Sequence, residues 1–233
     1  MRMDPEILKS TVSKSLKSLY RKRQKRPRPF KDRKILTDWN GLMIAAFAKC
    51  AQALNSDEYA KIAEKASNFI LETLRTRKRV MMHRYKDGEV TVEGMIDDYA
   101  FFIWGLIETY EATLLLSCLQ AAVELQDMMI KQLWDESNAV FFFAPKRDER
   151  LLVRNQEFND GAIPSGNSVA LSNLIRLARI TGKTDYEEKA RALAETVSFN
   201  ARHDNAMFLA AVSFLPHDES FQQQQNSEEC SQC

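Results

Sequence analysis

The side chains best suited to proton transfer stand next to the starts of apolar segments in this sequence. His83 is the strongest single candidate, because an imidazole titrates near neutral pH and can both give and take a proton there. Glu93, Asp98 and Asp160 add carboxyl groups near the starts of two apolar segments. Cleaving a glycosidic bond requires two carboxyl groups facing each other across a sugar, roughly 5–10 Å apart, with one acting as the acid. Asp160 could form such a pair with Asp98 or with Glu93.

The same acidic residues have a structural alternative. Asp97 and Asp98 cannot form the pair with each other, since neighbours on a helix point about 100° apart. Acidic side chains at helix N-termini commonly cap free N–H groups and complement the helix dipole, and we favour that role for Asp97 or Asp98. For His83 the corresponding alternative is local hydrogen bonding in a hairpin. His203 and His217, the other two histidines, offer it no evident partner.

Several polar and aromatic residues beside these groups are candidates for substrate binding. Asparagine can hydrogen-bond sugar hydroxyls, and an aromatic ring can stack on a sugar, although core packing is the more frequent role of such rings. Ser165 lacks the preceding strand and the paired histidine that a nucleophilic serine needs, so we assign it to binding. The binding set is Trp39, Asn40, Arg84, Tyr99, Ser165 and Asn167.

Three stretches of the chain repeat one pattern, and this repetition indicates the fold. Each stretch begins with a polar cluster, continues as a nearly wholly apolar helix and ends with an amphipathic helix. The clusters are at residues 38–41, 97–100 and 164–167. A helix pair cannot bury its apolar face alone, so repeated pairs must stack on each other. We therefore predict an all-α fold, an α/α toroid of the six-hairpin type that is incomplete, with about three helix pairs.

Two segments between the pairs interrupt the helical pattern. Residues 79–92 read as a short β-hairpin with an Asp-Gly turn. A second hairpin is predicted from residues 140–143 to residues 151–153. Both segments lead from an outer helix to the next inner helix, so we expect the hairpins and the inner-helix starts to share one face of the ring. Cys50 and Cys118 fall within predicted helices, and we expect both to be buried.

Composition divides the chain into three parts. Residues 1–34 contain 13 Lys and Arg against 3 Asp and Glu, and they predict a basic helix followed by a Pro-rich linker. Residues 35–216 hold the partial barrel, and the polar residues 217–233 are too poor in apolar side chains to fold. The basic part lacks a groove-reading motif and interleaved aromatic residues, so we expect a solvated linker or a strap rather than a nucleic-acid contact.

Function classes are limited by what the sequence lacks. No apolar run is long enough to cross a bilayer, and four widely separated cysteines fit a reducing compartment, so we predict a cytoplasmic protein without a membrane partner. Cys230 and Cys233 have CxxC spacing but no second ligand pair, and we predict no metal and no cofactor.

Four motifs carry a resemblance to a known family. They are residues 26–29 (RPRP), 35–44 (ILTDWNGLMI), 97–101 (DDYAF) and 160–168 (DGAIPSGNS). Together they resemble the spermatogenesis-associated, thioredoxin-domain-containing proteins over about residues 5–214. The resemblance implies a barrel similar to those of the six-hairpin glycosidases and the N-acylglucosamine 2-epimerases, and the epimerases use a pair of histidines. Family members usually begin with a thioredoxin-like domain and end with further helix pairs, both of which lie outside this chain.

The resemblance leads to two hypotheses about function. The first is a carbohydrate-active domain that binds a small sugar and has an epimerase-like or glycosidase-like site. The second is a non-catalytic helical scaffold that binds a protein partner, and a truncated relative of the family is one form that this scaffold could take. Because an incomplete ring leaves apolar flanks, we also predict self-association or contact with a thioredoxin-like partner domain.

Overall fold

The computed structural model describes residues 4–145 and 154–201. The chain forms two compact units, residues 1–33 and residues 34–233. The first unit contains helix α1 (Pro5–Gln24), whose start is capped by Asp4 through a 2.9 Å hydrogen bond from the backbone N–H of Glu6. None of the residues of α1 is buried, so its apolar stripe is exposed. The basic helix predicted from the sequence is confirmed.

The second unit consists, in its described residues, of three consecutive helix pairs with short strands between them. The helices are α2 (Thr37–Leu54), α3 (Asp57–Thr73), α4 (Ile96–Thr113), α5 (Leu116–Leu133), α6 (Gly166–Thr181) and α7 (Thr184–Ala201). The strands are β1 (Ile35–Leu36), β2 (Met82–Lys86), β3 (Glu89–Glu93), β4 (Trp134–Asp135) and β5 (Val140–Phe141). None of the described helices is both long and apolar enough to cross a membrane.

The helices form two layers. In the inner layer, α4 packs against α2 on one side and α6 on the other. Each outer helix, α3, α5 or α7, packs on the inner helix that precedes it. The near-continuous apolar run of residues 99–107 places α4 at the centre of the core, where most of these side chains are fully buried. This alternation confirms the α/α toroid architecture predicted from the sequence, over three pairs.

A buried carboxylate links the three inner helices. Glu108 of α4 is 1% exposed and lies 2.9 Å from Lys49 of α2 and 2.6 Å from Arg176 of α6. The indole N–H of Trp104 donates to the same Glu108 oxygen at 2.8 Å. A buried carboxylate is stable only when it is paired and hydrogen-bonded, so these contacts fix the three helices relative to one another.

The strands lie between the helix pairs. β1 and β3 both pair antiparallel with β2, with Leu36 opposite Arg84 and Arg84 opposite Thr91. Asp87 and Gly88 have φ of 50° and 91°, as a two-residue turn of the Asp-Gly type requires. The first hairpin is thus confirmed, with β1 as an additional strand that the sequence analysis did not predict.

Residues 140–141 pair with a strand that the sequence analysis did not predict. β5 pairs with β4, which follows α5 directly, and the register sets Trp134 opposite Phe141. Trp134, the residue directly after α5, is extended, and its ring packs edge-on against that of Phe141 with 4.8 Å between the ring centroids. Residues 151–153 lie outside the described residues.

One face of α2 differs from its expected burial. Trp39, Met43 and Leu54 are 63%, 56% and 65% exposed. Cys50, which we expected to be buried, lies on the same side of the helix and is exposed, whereas Cys118 is buried as expected. The reason is positional: α2 contacts α4 and α3, and the face pointing away from both meets no helix among the described residues.

The two cysteines should therefore differ in reactivity. In a variant carrying Cys230→Ser and Cys233→Ser, we expect a thiol reagent such as DTNB to modify Cys50 at least about tenfold faster than Cys118 under native conditions. Burial excludes the reagent from Cys118 and raises the pKa of its thiol. Stopped-flow absorbance measurements on the same variant with Cys50→Ser or Cys118→Ser added assign each reaction rate to its cysteine. Equal rates would show that this face of α2 is covered.

Candidate functional site

The starts of the three inner helices meet at one rim of the second unit. The backbone N–H of Asp38, in the first turn of α2, donates to a carboxylate oxygen of Asp98 in the first turn of α4 at 3.1 Å. Gly166, the first residue of α6, lies so close to Asp97 that a Cβ on this glycine would stand 2.5 Å from an Asp97 oxygen. The polar segments that precede the apolar helices in sequence are therefore neighbours in space, as the sequence analysis expected.

Asp98 and His83 form a pair at this rim. The imidazole Nδ1 of His83, on β2, lies 2.9 Å and 3.1 Å from the two Asp98 oxygens. Asp98 is 1% exposed and also accepts a 2.8 Å hydrogen bond from the backbone N–H of Met95, the residue before α4. The hydrogen bond to Asp98 raises the pKa of His83 above 6.5, and no described residue bonds its Nε2. This second nitrogen is free to contact a ligand.

Asp97 is the most perturbed carboxyl group of the rim. Its side chain lies against the start of α6, where the backbone N–H of Gly166 donates a hydrogen bond to it. Burial, and then the negative charges of Asp98, Glu157 and Asp38, raise the pKa of Asp97 to about 7. A carboxyl group with this pKa exchanges its proton at neutral pH, which suits a general acid or base.

Asp38 completes the cluster and shows how a cation could be held. Burial and the charge of Asp98 raise the pKa of Asp38. One ligand atom each from Asp38, His83 and Asp98 lies within 4.8 Å of the others, so the donor set has metal-like spacing. A cation would have to replace the hydrogen bond between His83 and Asp98, which already accounts for the arrangement, and we assign no metal here.

The predicted site residues at the start of α6 serve local structure. Asp160 accepts hydrogen bonds from the backbone N–H of Ser165 at 2.7 Å and from the hydroxyl of Ser168 at 3.2 Å. Ser165 caps α6 by accepting from the N–H of Ser168. Asn167 is fully buried and exchanges hydrogen bonds with the backbone of Phe141. These contacts position the start of α6, and they leave little of these groups for a substrate.

Three further predicted residues lie apart from the cluster or within the core. Tyr99 is fully buried and its hydroxyl bonds the N–H of Met81 and the side chain of Gln132, so its ring has no free face for a sugar. Glu93 lines a separate cleft with Arg154. Arg84 donates from Nε to Thr91 across the hairpin at 2.9 Å.

Trp39 and Asn40 follow Asp38 in α2 and have different surroundings. The amide of Asn40 donates to the carbonyl of Leu36 at 2.7 Å, which secures the start of the helix. Trp39 is 63% exposed at the rim, next to Asp38. Its ring is therefore the predicted aromatic that remains available for stacking.

The sequence analysis placed Asp97 among the capping residues and left Asp38 out of the site. The signal for both was adjacency: each stands in a polar cluster that precedes an apolar helix. Their elevated pKa values depend on burial at the rim and on negative charges that come together there from separate segments, which spacing along the chain does not reveal.

The His83–Asp98 pair can be tested by titration. Because the His83 pKa is raised above 6.5 on folding, the interaction of the protonated imidazole with Asp98 stabilises the folded state fully below pH 6.5. This stabilisation is lost as the pH rises through the pKa of the folded state. We expect His83→Gln to lower Tm by about 2–4 °C at pH 6 and by less at pH 9. NMR titration of the imidazole resonance that disappears in His83→Gln checks the pKa directly. A value at or below 6.5 would contradict the pairing.

Comparison with known proteins places the chain among relatives much longer than itself. Human spermatogenesis-associated protein 20 is 32% identical over 210 residues, which are 86% of this chain and 27% of that protein. An uncharacterized protein of Caenorhabditis elegans is 34% identical over 190 residues, 78% of this chain and 26% of that protein. The chain thus spans about a quarter of the curated relatives it matches. No family model matches it.

Solved structures with the same fold include enzymes that act on sugars. An α-mannanase of glycoside hydrolase family 76 from Bacteroides thetaiotaomicron has a TM-score of 0.60 and 16% identity, covering 71% of this chain and 45% of that one. Cellobiose 2-epimerase from Bacillus thermoamylovorans has a TM-score of 0.60 and 16% identity, and the match covers 72% of this chain and 45% of that one. A third structure is an inactive α-1,6-mannanase from Salegentibacter, which carries two consecutive Asp→Asn substitutions and binds α-1,6-mannotriose. Its TM-score is 0.57 and its identity 12%, and the match covers 70% of this chain and 47% of that one. At these identities the likeness shows the fold.

Proposed function

We propose that this chain, a homologue of spermatogenesis-associated protein 20 across its α/α portion, is a carbohydrate-active domain that binds a sugar at the rim where its inner helices begin. The observation that carries the proposal is the convergence of Asp38, His83, Asp97 and Asp98 at this rim, where burial raises the pKa of Asp97 to about 7 and lets it transfer a proton at neutral pH. The fold supports it, since mannanases and a cellobiose epimerase share this architecture.

The residue types at the rim fit glycosidase-like chemistry best. Such a site needs one carboxyl group that is protonated and one that is ionised. Asp97 supplies the first, because burial and then the surrounding negative charges favour its neutral form. Asp38 is the candidate for the second, since Asp98 is held by His83 and by two backbone N–H groups.

The mannanase with the inactivating substitutions supports this assignment by its residue types. Its two altered residues are consecutive aspartates, and Asp97 and Asp98 are consecutive aspartates at the start of an inner helix here. The two side chains point in different directions in this chain, so they have different roles. Asp97 transfers the proton, and Asp98 holds His83 with its Nε2 toward the ligand. Trp39 provides a ring for stacking beside them.

A binding experiment tests the proposal. Wild-type protein would be screened by thermal shift and calorimetry against α-1,6-mannotriose, cellobiose and mannose, and hits would be followed for cleavage or epimerisation by NMR. We expect binding of at least one sugar, loss of turnover in Asp97→Asn and weaker binding in Trp39→Ala. Asp57→Asn, in the first turn of outer helix α3, is the matched control and should behave as wild type. Absence of any sugar binding by wild-type protein would refute the proposal.

A non-catalytic scaffold is the second candidate, and one observation favours it. The exposed face of α2 formed by Trp39, Met43, Cys50 and Leu54 is apolar, and such a face is typical of a contact surface. We expect a second copy of the chain to cover it. Light scattering over a concentration series should then show a dimer that Met43→Glu dissociates. A dimer combined with no response to any sugar would select the scaffold, and a monomer at high concentration would exclude this form of it.

A further inference from the structure

A cleft of about 610 Å³ lies between the end of α5, the end of β3 and the segment around Arg154. None of the residues that line it belongs to the rim cluster of Asp38, His83, Asp97 and Asp98. Its walls carry three basic and three acidic side chains, which are Lys78, Lys131, Arg154, Glu93, Asp135 and Glu136. The balance of charge inside the cleft depends on which of these already have partners.

Two of the three acidic groups are occupied by neighbours. Asp135 accepts hydrogen bonds from the N–H of Ser137 at 3.0 Å and from the side-chain amides of Asn138 and Gln156 at 2.7 Å and 2.9 Å. Glu136 pairs with Lys189 at 3.1 Å. Lys189 balances the charge of Glu136, whereas the donors to Asp135 are neutral and its negative charge acts on Arg154. The three cations of the lining therefore face two carboxylates that no cation pairs with among the described residues, Asp135 and Glu93, which leaves an excess of positive charge.

Arg154 is held in a fixed orientation within this cleft. Its guanidinium carbon lies 3.7 Å from the centre of the Phe142 ring. Nε and Nη2 donate to the carbonyl of Ala144 at 3.1 Å and 2.9 Å, and Nη2 lies 3.4 Å from the carbonyl of Gln132. The Nη1 group makes no hydrogen bond with a described residue. Because the side chain is already immobilised, a ligand that binds Nη1 loses little side-chain entropy.

The basic groups around Arg154 are likewise without acidic partners. Lys78 and Lys131 line the same cleft, and neither forms an ion pair with a described residue. A planar guanidinium next to two ammonium groups is the arrangement that binds carboxylate or phosphate oxygens. The rings of Trp134 and Phe142 in the same lining add apolar surface for the rest of a small molecule.

We propose that this cleft binds a small organic anion, with its carboxylate or phosphate group held by Nη1 of Arg154 and by the ammonium groups of Lys78 and Lys131. The site is separate from the proton-transfer cluster at the rim. It therefore stands independently of the sugar-processing function proposed above, and it adds an acidic small molecule to the ligands of the chain.

Calorimetric titration with three probes tests this site. The probes are D-glucuronate for the carboxylate, D-glucose 6-phosphate for the phosphate, and D-glucose as the neutral reference. We expect one or both anions to bind, with affinity that falls as NaCl is raised from 50 to 200 mM, since the contact is electrostatic. The anion that binds more tightly identifies the preferred group. Failure of both anions to bind would overturn the proposal.

Paired variants locate the binding in the cleft. Lys78→Ala with Lys131→Ala should weaken anion binding at least tenfold, and Arg154→Lys should weaken it while keeping the charge, because a lysine lacks the planar donor group. The matched control is Lys61→Ala with Lys65→Ala, two exposed lysines on α3, which should leave the affinity unchanged. Asp97→Asn should also leave it unchanged, which separates this site from the rim. Undiminished binding in the Lys78/Lys131 double variant would place the anion elsewhere and refute the assignment.

Discussion

Replacing Gly41 with alanine should remove a large part of the stability of the α/α unit. An alanine Cβ at this position would stand 2.5 Å from the carbonyl carbon of Phe101 and 2.6 Å from the backbone nitrogen of Phe102. Both are main-chain atoms of α4, so no side-chain rotation can relieve the overlap. The two helices would have to separate along the interface that joins the first two pairs. Overpacking of this kind costs about 1–3 kcal/mol when side chains can move and more when they cannot.

The expected loss for Gly41→Ala is therefore at least about 3 kcal/mol, a large part of the roughly 5–15 kcal/mol that stabilises a typical domain. Urea denaturation followed by far-UV circular dichroism measures it. Gly161→Ala is the matched control, because a Cβ on Gly161 would meet no atom within 4 Å. This control should unfold at the wild-type urea concentration. A Gly41→Ala midpoint equal to that of the control would mean that α2 and α4 are farther apart than described.

The inner and outer helices were predictable because each has a periodic signal of its own. The run at residues 99–107 is apolar on all sides, which indicates a buried helix. In contrast, α3 has one apolar face and one charged face, which indicates a helix at the protein surface. The Asp-Gly turn at residues 87–88 likewise fixed the first hairpin. These are local properties, and sequence spacing records them directly.

The features that were missed depend on contacts between distant segments. β5 pairs with β4 because the short loop after Asp135 brings residues 140–141 back to the end of α5. Cys50 is exposed because of where α2 stands in the helix layer, although its neighbours in sequence are apolar. The unusual pKa of Asp97 arises from its burial and from negative charges on separate segments. None of these has a counterpart in local spacing.

The predicted site residues also show the limit of local sequence signals. His83 and Asp98 were selected by residue type and position, and they are hydrogen-bonded to each other. Asp160 and Asn167 were selected by the same reasoning, yet their hydrogen bonds go to the backbone and to neighbouring hydroxyl groups at the start of α6. Residue type alone does not distinguish a group that faces a ligand from one that supports the rim.

Asp97→Asn should remove the pH dependence of stability that the Asp97 carboxyl group imposes. The pKa of Asp97 rises from 3.8 to about 7 on folding, so between these values the folded state keeps a proton that the unfolded state has released. Stability consequently falls as pH rises from about 4 to 7, and above pH 7 the full cost of the buried charge remains. Each pKa unit corresponds to about 1.4 kcal/mol, which makes about 4 kcal/mol the upper limit of the effect.

Asparagine removes this cost while keeping the local contact. Its side-chain carbonyl can still accept the hydrogen bond from Gly166, but it carries no charge near Asp98, Glu157 and Asp38. We expect Asp97→Asn to raise Tm at pH 8 by roughly 3–10 °C and to leave it nearly unchanged at pH 4. Scanning calorimetry of both proteins from pH 4 to 8 measures the difference.

A variant that gains stability at pH 8 while losing sugar turnover would tie the two properties to one carboxyl group. Active sites commonly hold groups in ionisation states that weaken the fold, because the same burial and repulsion that raise a pKa also make the group reactive. Asp57→Asn, whose carboxyl group is exposed in the first turn of α3, should show neither change. If Asp97→Asn is no more stable than wild type at pH 8, Asp97 is not held in a repulsive environment, and the argument for proton transfer at this rim fails with it.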